Sequence, residues 1–185
     1  ESLARILYTL VYYCLLPLIL LRLLYRARRA PAYAGRIGER FGFFSAPDFD
    51  RQPLWIHAVS VGETLAAVPL VKALRAHYPQ LPIVITTMTP TGSARVHDIF
   101  GDTVFHVYAP YDVPDSIARF LRRIKPCLAL IMETELWPNT IYKLHQAGVG
   151  IVVANARLSE KSARGYARVG ALSRPMLQMI DCVAA

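Results

Sequence analysis

Five short apolar runs recur along the second and larger part of the chain, and they alternate with segments of helical pattern. The runs are rich in Val, Ile and aromatic residues, which is typical of buried strands; they cover residues 53–60, 82–89, 104–110, 127–135 and 150–157. Between them, apolar residues recur every three or four positions in segments 64–78, 116–124 and 136–146, which predicts helices. Strands that alternate with helices favour right-handed βαβ crossovers and a parallel sheet. We therefore predict an α/β, Rossmann-like domain over residues 53–185.

A longer apolar segment precedes this alternating pattern. Residues 3–25 are almost entirely apolar, and they are numerous enough for a helix that crosses the hydrocarbon core of a bilayer. No small-residue cleavage site follows, so we expect an uncleaved membrane-anchor helix over residues 1–30 and not a removable signal peptide. Pro17 and several tyrosines leave open whether this helix spans the bilayer or lies in its interface.

Most of the basic charge lies just behind the anchor. The chain has a net charge of +8. Residues 1–40 hold seven arginines against Glu1 and Glu39, which gives +5 and leaves +3 for the rest. Arginines behind an apolar helix indicate that this flank and the residues after it stay on the cytoplasmic side, and they favour attraction to anionic lipid headgroups. No RNA-binding, zinc-finger or helix-turn-helix pattern accompanies the charge, so we expect no nucleic-acid partner.

Two other features bound the chemistry. Residues 31–52 are rich in glycine and proline and predict a membrane-proximal connector. The three cysteines, Cys14, Cys127 and Cys182, are widely separated and form no CxxC pair. They indicate reduced thiols, with neither a metal site nor a disulfide framework.

Polar residues lie at or just beyond the carboxyl end of each apolar run. Ligands of open parallel sheets bind beyond these ends, where helix N-termini also point. We therefore expect one rim that brings together Ser60, Gly62, Glu63, Thr89, Thr91, Gly92, Ser93, Glu133, Glu135, Asn155 and Arg157.

Glu63 follows Gly62 at the start of a predicted helix, and its position supports two interpretations. It is either a first-turn acid that the helix dipole stabilises by about 0.3–1 kcal/mol, or a general base. A helix N-terminus helps keep a carboxylate ionised, and Gly62 would allow a substrate hydroxyl to approach closely.

Glu133 and Glu135 end the strand-like run at 127–135. Residues two apart in a strand share a face, so the two carboxylates are expected to point together, away from Thr134. Their repulsion requires that one is protonated or that a cation such as Arg157 or Arg95 lies opposite. The alternative is that one of them caps the next helix or pairs with a structural arginine.

Three further segments carry weaker signals. In TTMTPTGSARV (86–96), Thr91, Gly92 and Ser93 offer hydroxyl and N–H groups to an anion. Neither GxxxxGK[ST] nor GxGxxG occurs, which removes the usual support for ATP or NAD binding. His57 lies within a strand, where a packed histidine is expected more than a catalyst. Segment 155–166, with Ser159 and Lys161, either grips an anionic ligand or forms a solvated loop.

Four motifs in a fixed order resemble one family. HAVSVGE, TTMTPTG, METELWPN and NARLSEKS, behind an apolar anchor, are similar to the 3-deoxy-D-manno-octulosonic acid (Kdo) transferases of Gram-negative bacteria. The resemblance implies an inverting, metal-independent GT-B enzyme on the cytoplasmic face of the inner membrane. Such enzymes use no cofactor and transfer Kdo from CMP-Kdo to a hydroxyl of the lipid A precursor, lipid IVA. It further implies that Glu63 is the general base, that Glu133 assists the transition state, and that the substrate-binding residues are Ser60, Gly62, Thr91, Gly92, Ser93, Glu135 and Arg157.

The resemblance also sets an expectation about extent. GT-B enzymes have two Rossmann-like halves, whereas this chain reaches DCVAA as a sixth strand begins. We expect an N-terminal, acceptor-side half that is inactive alone, with CMP-Kdo held mainly by a C-terminal half outside this sequence. Two alternatives remain: a membrane-tethered α/β binding module with structural carboxylates, or another membrane-associated GT-B transferase that uses a UDP-sugar.

Overall fold

A six-stranded parallel sheet forms the centre of the molecule. The structure is a computed structural model that describes residues 2–157 and 160–184, and only the backbone of residues 160–162. In chain order the strands are β1 (Leu54–His57), β2 (Ile83–Thr87), β3 (Phe105–Tyr108), β4 (Leu128–Met132), β5 (Gly150–Ala154) and β6 (Cys182–Ala184). They lie side by side in the order β3-β2-β1-β4-β5-β6. From β1 the chain adds strands first toward one edge of the sheet, through β2 to β3, and then from β4 onward toward the other edge. This strand order is that of a Rossmann-like fold and confirms the predicted class.

Seven α-helices accompany the described strands. They are α1 (Leu3–Ala27), α2 (Val61–His77), α3 (Pro90–Phe100), α4 (Pro114–Ile124), α5 (Pro138–Gln146), α6 (Glu160–Arg168) and α7 (Gly170–Leu177), with short 3-10 turns at Pro31–Tyr33, Ile37–Phe41 and Gly101–Thr103. Proline is the first residue of α3, α4 and α5, where its missing N–H costs nothing. The strands are shorter than the apolar runs, because the polar residues at each carboxyl end belong to turns and helix caps.

Both faces of the central strands are buried, which explains why apolar residues predominate on both sides of these strands. Leu54, Ile56, Ile83 and Ile85 pack on one face against Val71 of α2 and Val96 and Phe100 of α3. The alternate residues Trp55, Val84, Ala129 and Ile131 pack on the other face against Phe120 of α4 and Leu144 of α5. A sheet covered in this way leaves room for polar chemistry only beyond the strand ends.

The connector between α1 and β1 covers the exposed edge of the sheet at β3. Glu39 Oε2 accepts a hydrogen bond from the backbone N–H of Tyr108 at 2.8 Å, and Arg36 Nη2 donates to the carbonyl of His106 at 3.1 Å. Unpaired edge groups are a template for aggregation, so these side chains both satisfy and block the edge. Arg40 is buried beside them, donates to the carbonyl of Met88 at 3.1 Å and lies over the Tyr108 ring.

A buried carboxylate, Asp112, supplies the cap that α5 lacks. The N-cap residue of α5 is Trp137, whose side chain has no acceptor. Asp112, in the loop after β3, instead accepts from the backbone N–H of Asn139 at 3.1 Å and of Thr140 at 2.8 Å. Burial raises the pKa of the Asp112 carboxyl, while these hydrogen bonds oppose that shift.

Gly42 is the point at which the connector touches α4, and it yields a stability prediction. Its φ is +76°, and an added Cβ would lie 2.6 Å from the carbonyl oxygen of Ser116. Gly148 has a similar φ of +68° but open space around it, so it is a matched control. We expect Gly148→Ala to lower the free energy of unfolding by about 1–2 kcal/mol, the cost of a left-handed alanine.

Gly42→Ala should lower the free energy of unfolding by about 3 kcal/mol or more, because the new methyl group must also displace the backbone of α4. Urea unfolding of the detergent-solubilised protein, with an unchanged dependence on urea concentration, measures both values. Equal losses for the two variants would show that the contact with α4 carries no strain.

Candidate active site

The side chain of Glu63 is held at the start of α2 by a capping box. Ser60 is the N-cap residue, and its Oγ accepts from the Glu63 N–H at 3.2 Å. In return Glu63 Oε1 accepts from Ser60 Oγ at 2.7 Å, and Oε2 accepts from the backbone N–H of Val59 at 2.8 Å. Ser-x-x-Glu is a sequence signature of this motif, and residues 60–63 match it. The sequence therefore indicated a capping role for Glu63, whereas the only structural role predicted for it was an interaction with the helix dipole.

The environment of Glu63 raises the pKa of its carboxyl. The residue is only 4% exposed, and burial is the main cause that raises the pKa of its carboxyl. The hydrogen bonds from Ser60 and Val59 lower this pKa, and the negative charges of Glu135 and Glu133 raise it. The three acids therefore lie close enough to interact, as the shared-rim prediction required for β1 and β4. None of them forms an ion pair among the described residues.

Space is open next to this carboxylate, above Gly62. Outside the adjacent residues and the helix backbone, the nearest atom to a Cβ added at Gly62 would be Ser60 Oγ, at 3.8 Å. The fold therefore does not require a glycine here for packing, and the residue is helical without a positive φ. The absence of a side chain leaves a backbone surface beside Glu63 that a ligand can approach.

The turn after β4 corrects one geometric prediction. β4 ends at Met132, and Glu133 has a φ of +56°, the left-handed region that few non-glycine residues adopt. Glu133 and Glu135 therefore do not alternate as strand residues do, and the period-two argument for them was wrong. Glu135 Oε2 instead accepts from Trp137 Nε1 at 3.1 Å. Strained residues of this kind cluster at functional sites.

Packing behind this turn fixes its position. The His57 ring packs edge-on against Trp137, with 4.6 Å between centroids, and His57 Nδ1 lies 3.0 Å from Thr86 Oγ1. Burial lowers the pKa of His57 to about 3, so the ring is neutral. This confirms the packed-histidine interpretation. Tyr166 of α6, which no sequence signal identified, donates its hydroxyl to the carbonyl of Thr134 at 3.2 Å.

The residues at the start of α3 have internal partners. Thr89 is the N-cap, and its Oγ1 accepts from the Gly92 N–H at 3.1 Å. A Cβ on Gly92 would lie 3.1 Å from Thr87 Cβ, so this glycine serves close packing. Ser93 Oγ accepts from Arg36 Nη1 at 3.1 Å. Among Thr91, Gly92 and Ser93, Thr91 is the exposed residue. The Gly92 N–H already donates to the N-cap Thr89 and is not open to an anion.

The end of β5 contributes Asn155 and Arg157 to the same edge of the sheet. Asn155 has a φ of +54°, and Arg157 is exposed. Ser159 and the side chain of Lys161, for which an anion-binding role was considered, lie outside the described residues. No group of three His, Cys, Asp or Glu side chains that could hold a metal ion occurs within the described part of the chain.

The arrangement is suited to proton transfer. A carboxyl whose pKa is raised by burial and by neighbouring acids is a stronger base when ionised than an ordinary glutamate. Each Glu63 oxygen accepts one hydrogen bond and retains a second lone pair. The open surface above Gly62 is the place from which a hydroxyl would reach it.

Comparison with known proteins identifies the relatives of this chain. A family described as "3-Deoxy-D-manno-octulosonic-acid transferase (kdotransferase)" matches residues 35–185. The 3-deoxy-D-manno-octulosonic acid transferase of Haemophilus influenzae is 46% identical over 98% of this chain and 43% of its own length. The enzyme of the same name from Bordetella pertussis is 39% identical over 96% of this chain and 43% of its own length.

A more distant relative extends the comparison beyond bacteria. The "Probable 3-deoxy-D-manno-octulosonic acid transferase, mitochondrial" of Arabidopsis thaliana is 36% identical over 86% of this chain and 36% of its own length. The chain thus spans less than half the length of these curated relatives. Because the family match covers most of the sequence, the chain belongs to the 3-deoxy-D-manno-octulosonic acid transferase family and corresponds to the N-terminal part of its members.

Proposed function

We propose that this chain is the acceptor-side half of an inverting GT-B glycosyltransferase that moves Kdo from CMP-Kdo to a hydroxyl of the lipid A precursor, lipid IVA. The observation that carries the proposal is the open surface above Gly62, beside a carboxyl whose pKa is raised by burial and by Glu135 and Glu133. A C-terminal half would hold CMP-Kdo. Residues 1–30 would anchor the enzyme to the cytoplasmic side of the inner membrane, with residues 31–52 as connector and residues 53–185 as the acceptor domain.

In the proposed reaction, Glu63 removes the proton from the acceptor hydroxyl as its oxygen attacks the anomeric carbon of Kdo. The new glycosidic C–O bond forms while the bond from that carbon to the phosphate oxygen breaks, and CMP leaves with the electron pair. The proton remains on Glu63 until solvent removes it. Glu133, in its strained turn, would stabilise the transition state. No step in this scheme needs a metal ion.

The residues around Glu63 would contribute to acceptor binding. Ser60 orients the carboxylate by donating to Oε1, and Gly62 provides the open surface. Arg157 and Thr91 are exposed at the carboxyl edge of the sheet, where an anionic group of a phosphorylated lipid would find a cation and a hydroxyl. Ser93 and Gly92 would act mainly by holding the start of α3 in place.

The capping role of Glu63 favours one rival function, a membrane-tethered binding module without chemistry. Both carboxylate oxygens already accept hydrogen bonds, as a purely structural acid would. Glu63→Gln separates the two functions, because glutamine preserves a capping box but is no base. In the full-length protein with CMP-Kdo and tetraacyl lipid A precursor, we expect kcat to fall by about 10²–10⁴-fold with little change in unfolding temperature.

Glu39→Gln is the matched control for this substitution. Glu39 also accepts a backbone N–H, that of Tyr108, but it does so at the other edge of the sheet. The Glu39→Gln substitution should lower the free energy of unfolding slightly without changing kcat. Transfer by the Glu63→Gln protein at close to the parental rate would support the binding module. Transfer from a UDP-sugar in place of CMP-Kdo would indicate the other GT-B alternative.

Gly62→Ala tests whether the open surface is used. Apart from the adjacent residues and the helix backbone, a methyl group meets no atom closer than 3.8 Å. Alanine is also a better helix former than glycine, so stability should stay the same or rise. We expect a loss of transfer activity of at least tenfold, because the methyl group would occupy the space through which the acceptor hydroxyl approaches. Gly165→Ala, within α6 and with no atom within 4 Å, is the control. Equal activity of the two alanine variants would contradict the placement of the acceptor.

The pH dependence of transfer tests the raised pKa of Glu63. A base must be ionised, so activity is lost as the pH falls through its pKa, and a raised pKa places this loss at higher pH than for an ordinary glutamate. Removing the charge at Glu135 by Glu135→Gln should move the acidic limb of kcat/KM to lower pH. The Glu39→Gln protein should keep the parental limb. A limb that does not move when Glu135 is neutralised would show that another group limits the rate.

A further inference from the structure

Helix α1 has two opposite faces with different surroundings. It has 25 residues and a mean hydropathy of 2.0 over its most apolar stretch, so it is long and apolar enough to cross a membrane. Its outer face is a continuous apolar stripe in which side chains recur every three or four positions and are 57–81% exposed: Leu3, Leu7, Leu10, Leu18, Leu21 and Tyr25. Cys14 is exposed in the same stripe.

The other face of α1 is docked on the α/β domain by polar contacts. Tyr8 donates its hydroxyl to Asp112 Oδ2 at 2.8 Å, and Thr9 Oγ1 donates to Asn139 Oδ1 at 3.0 Å. Arg5 is buried, donates to Asn139 Oδ1 at 3.3 Å, and its guanidinium lies 3.6 Å from the centre of the Tyr142 ring. These partners belong to the loop after β3 and to the first turns of α5.

Helical spacing extends the face that carries these contacts toward the C-terminal end of α1. Each residue of an α-helix is rotated by about 100° from the one before it. This rotation places Arg5, Tyr8 and Leu23 on one side of α1, opposite the apolar stripe. Leu23 is 9% exposed, and the helix packs further on α7 and on the turn at Pro31–Tyr33. The helix therefore contacts the domain along its N-terminal half, from Arg5 to Tyr13, and packs on the connector turn at its other end.

This arrangement is incompatible with a helix that crosses the bilayer. The polar contacts extend from Arg5 to Tyr13, whose hydroxyl donates to Asp115 at 2.9 Å. The helix from residue 14 to its end at Ala27 would be about 21 Å long, against about 30 Å of hydrocarbon. A spanning orientation would carry the polar loop at Asp112 and the start of α5 into the bilayer, where polar and ionisable groups are costly.

We propose that α1 lies in the plane of the membrane interface, with its stripe in the acyl region of one leaflet and its polar face clamped to the domain. The inference rests on the proposed function for its membrane and goes beyond it by assigning the orientation. Charge supports an anionic leaflet as the occupant of the stripe, because Arg22, Arg26, Arg28 and Arg29 are exposed at the C-terminal end of the helix.

One consequence is that membrane attachment and the candidate active site share a support. Asp112 accepts a hydrogen bond from the Tyr8 hydroxyl of α1, and it also caps the start of α5. Helix α5 begins directly after Trp137. Trp137 in turn holds Glu135. An in-plane α1 therefore fixes the distance between the lipid surface and the rim that carries Glu63 and Glu135.

Depth measurements along the stripe test this orientation. In the full-length protein, Cys14 becomes the single thiol once Cys127, Cys182 and any cysteine of the C-terminal half are replaced by Ser. Leu7→Cys or Leu21→Cys in a Cys14→Ser version of that protein adds a site about two helical turns to either side. Successive sites are separated by about 10 Å along the helix. Nitroxide labels on the full-length protein in phosphatidylethanolamine–phosphatidylglycerol vesicles should report the same depth, within a few Å, at all three sites.

A spanning helix would give the deepest label at Cys14 and shallower labels on either side, and this result would overturn the proposal. Labels that are exposed to water would also overturn it, because the stripe would then lie outside the lipid. Spin–spin coupling between copies would overturn it as well, because a second copy would then cover the stripe. A Tyr8→Phe, Thr9→Val variant removes two clamping hydroxyls and should make the three depths diverge.

Vesicle binding provides an independent measurement. Leu10→Ser, Leu18→Ser should weaken binding to these vesicles by roughly tenfold or more, because two leucines would leave the acyl region. The unfolding temperature in detergent should be unchanged, since neither side chain contacts the domain. Undiminished binding would contradict the role of the stripe. Neither measurement depends on Kdo transfer, so an inactive protein with an in-plane helix would refute the proposed function alone.

Discussion

The constraint on which this structure depends is a parallel sheet that is buried on both faces. Apolar side chains above and below the strands exclude polar chemistry from the strand bodies, so it collects where the strands end. β1 and β4 are adjacent and in register, with His57 opposite Ile131, and the turns that follow them are therefore neighbours. Glu63 and Glu133 are separated by 69 intervening residues in sequence, yet sheet pairing brings them within electrostatic reach.

Asp112 organises the second level of the structure. A buried carboxylate is costly unless it is well bonded, and this one accepts from Tyr8, Thr140 and the first N–H groups of α5. The same group thus replaces a missing helix cap and attaches α1. Because Asp112 bonds both elements, α1 and the start of α5 cannot move apart without breaking hydrogen bonds to it, and the turn at Trp137 that holds Glu135 directly precedes α5.

The sequence predicted what depends on periodicity and failed where local backbone geometry decides. Apolar runs and helical spacing identified the Rossmann-like sheet, and the helix predicted over residues 136–146 corresponds to α5. The alternation argument for Glu133 and Glu135 failed because Glu133 adopts a left-handed conformation that no pattern announces. The contacts of Asp112 with Tyr8 and Asn139 join residues more than 25 positions apart, which local signals do not reveal. The roles assigned to the rim residues remain predictions.

The energetics of Glu63 favour a function beyond capping. Its folded-state pKa is raised, so by linkage its carboxyl contributes stability below the unfolded pKa and loses that contribution as the pH rises through the folded value. An acid selected for capping alone would be expected in surroundings that lower its pKa, as the bonds from Ser60 and Val59 do. Burial and two further acids outweigh those bonds, so the fold tolerates an ionised Glu63 at a cost in stability. Such a cost, next to an unfilled space above Gly62, is the pattern expected where a protein maintains a reactive group.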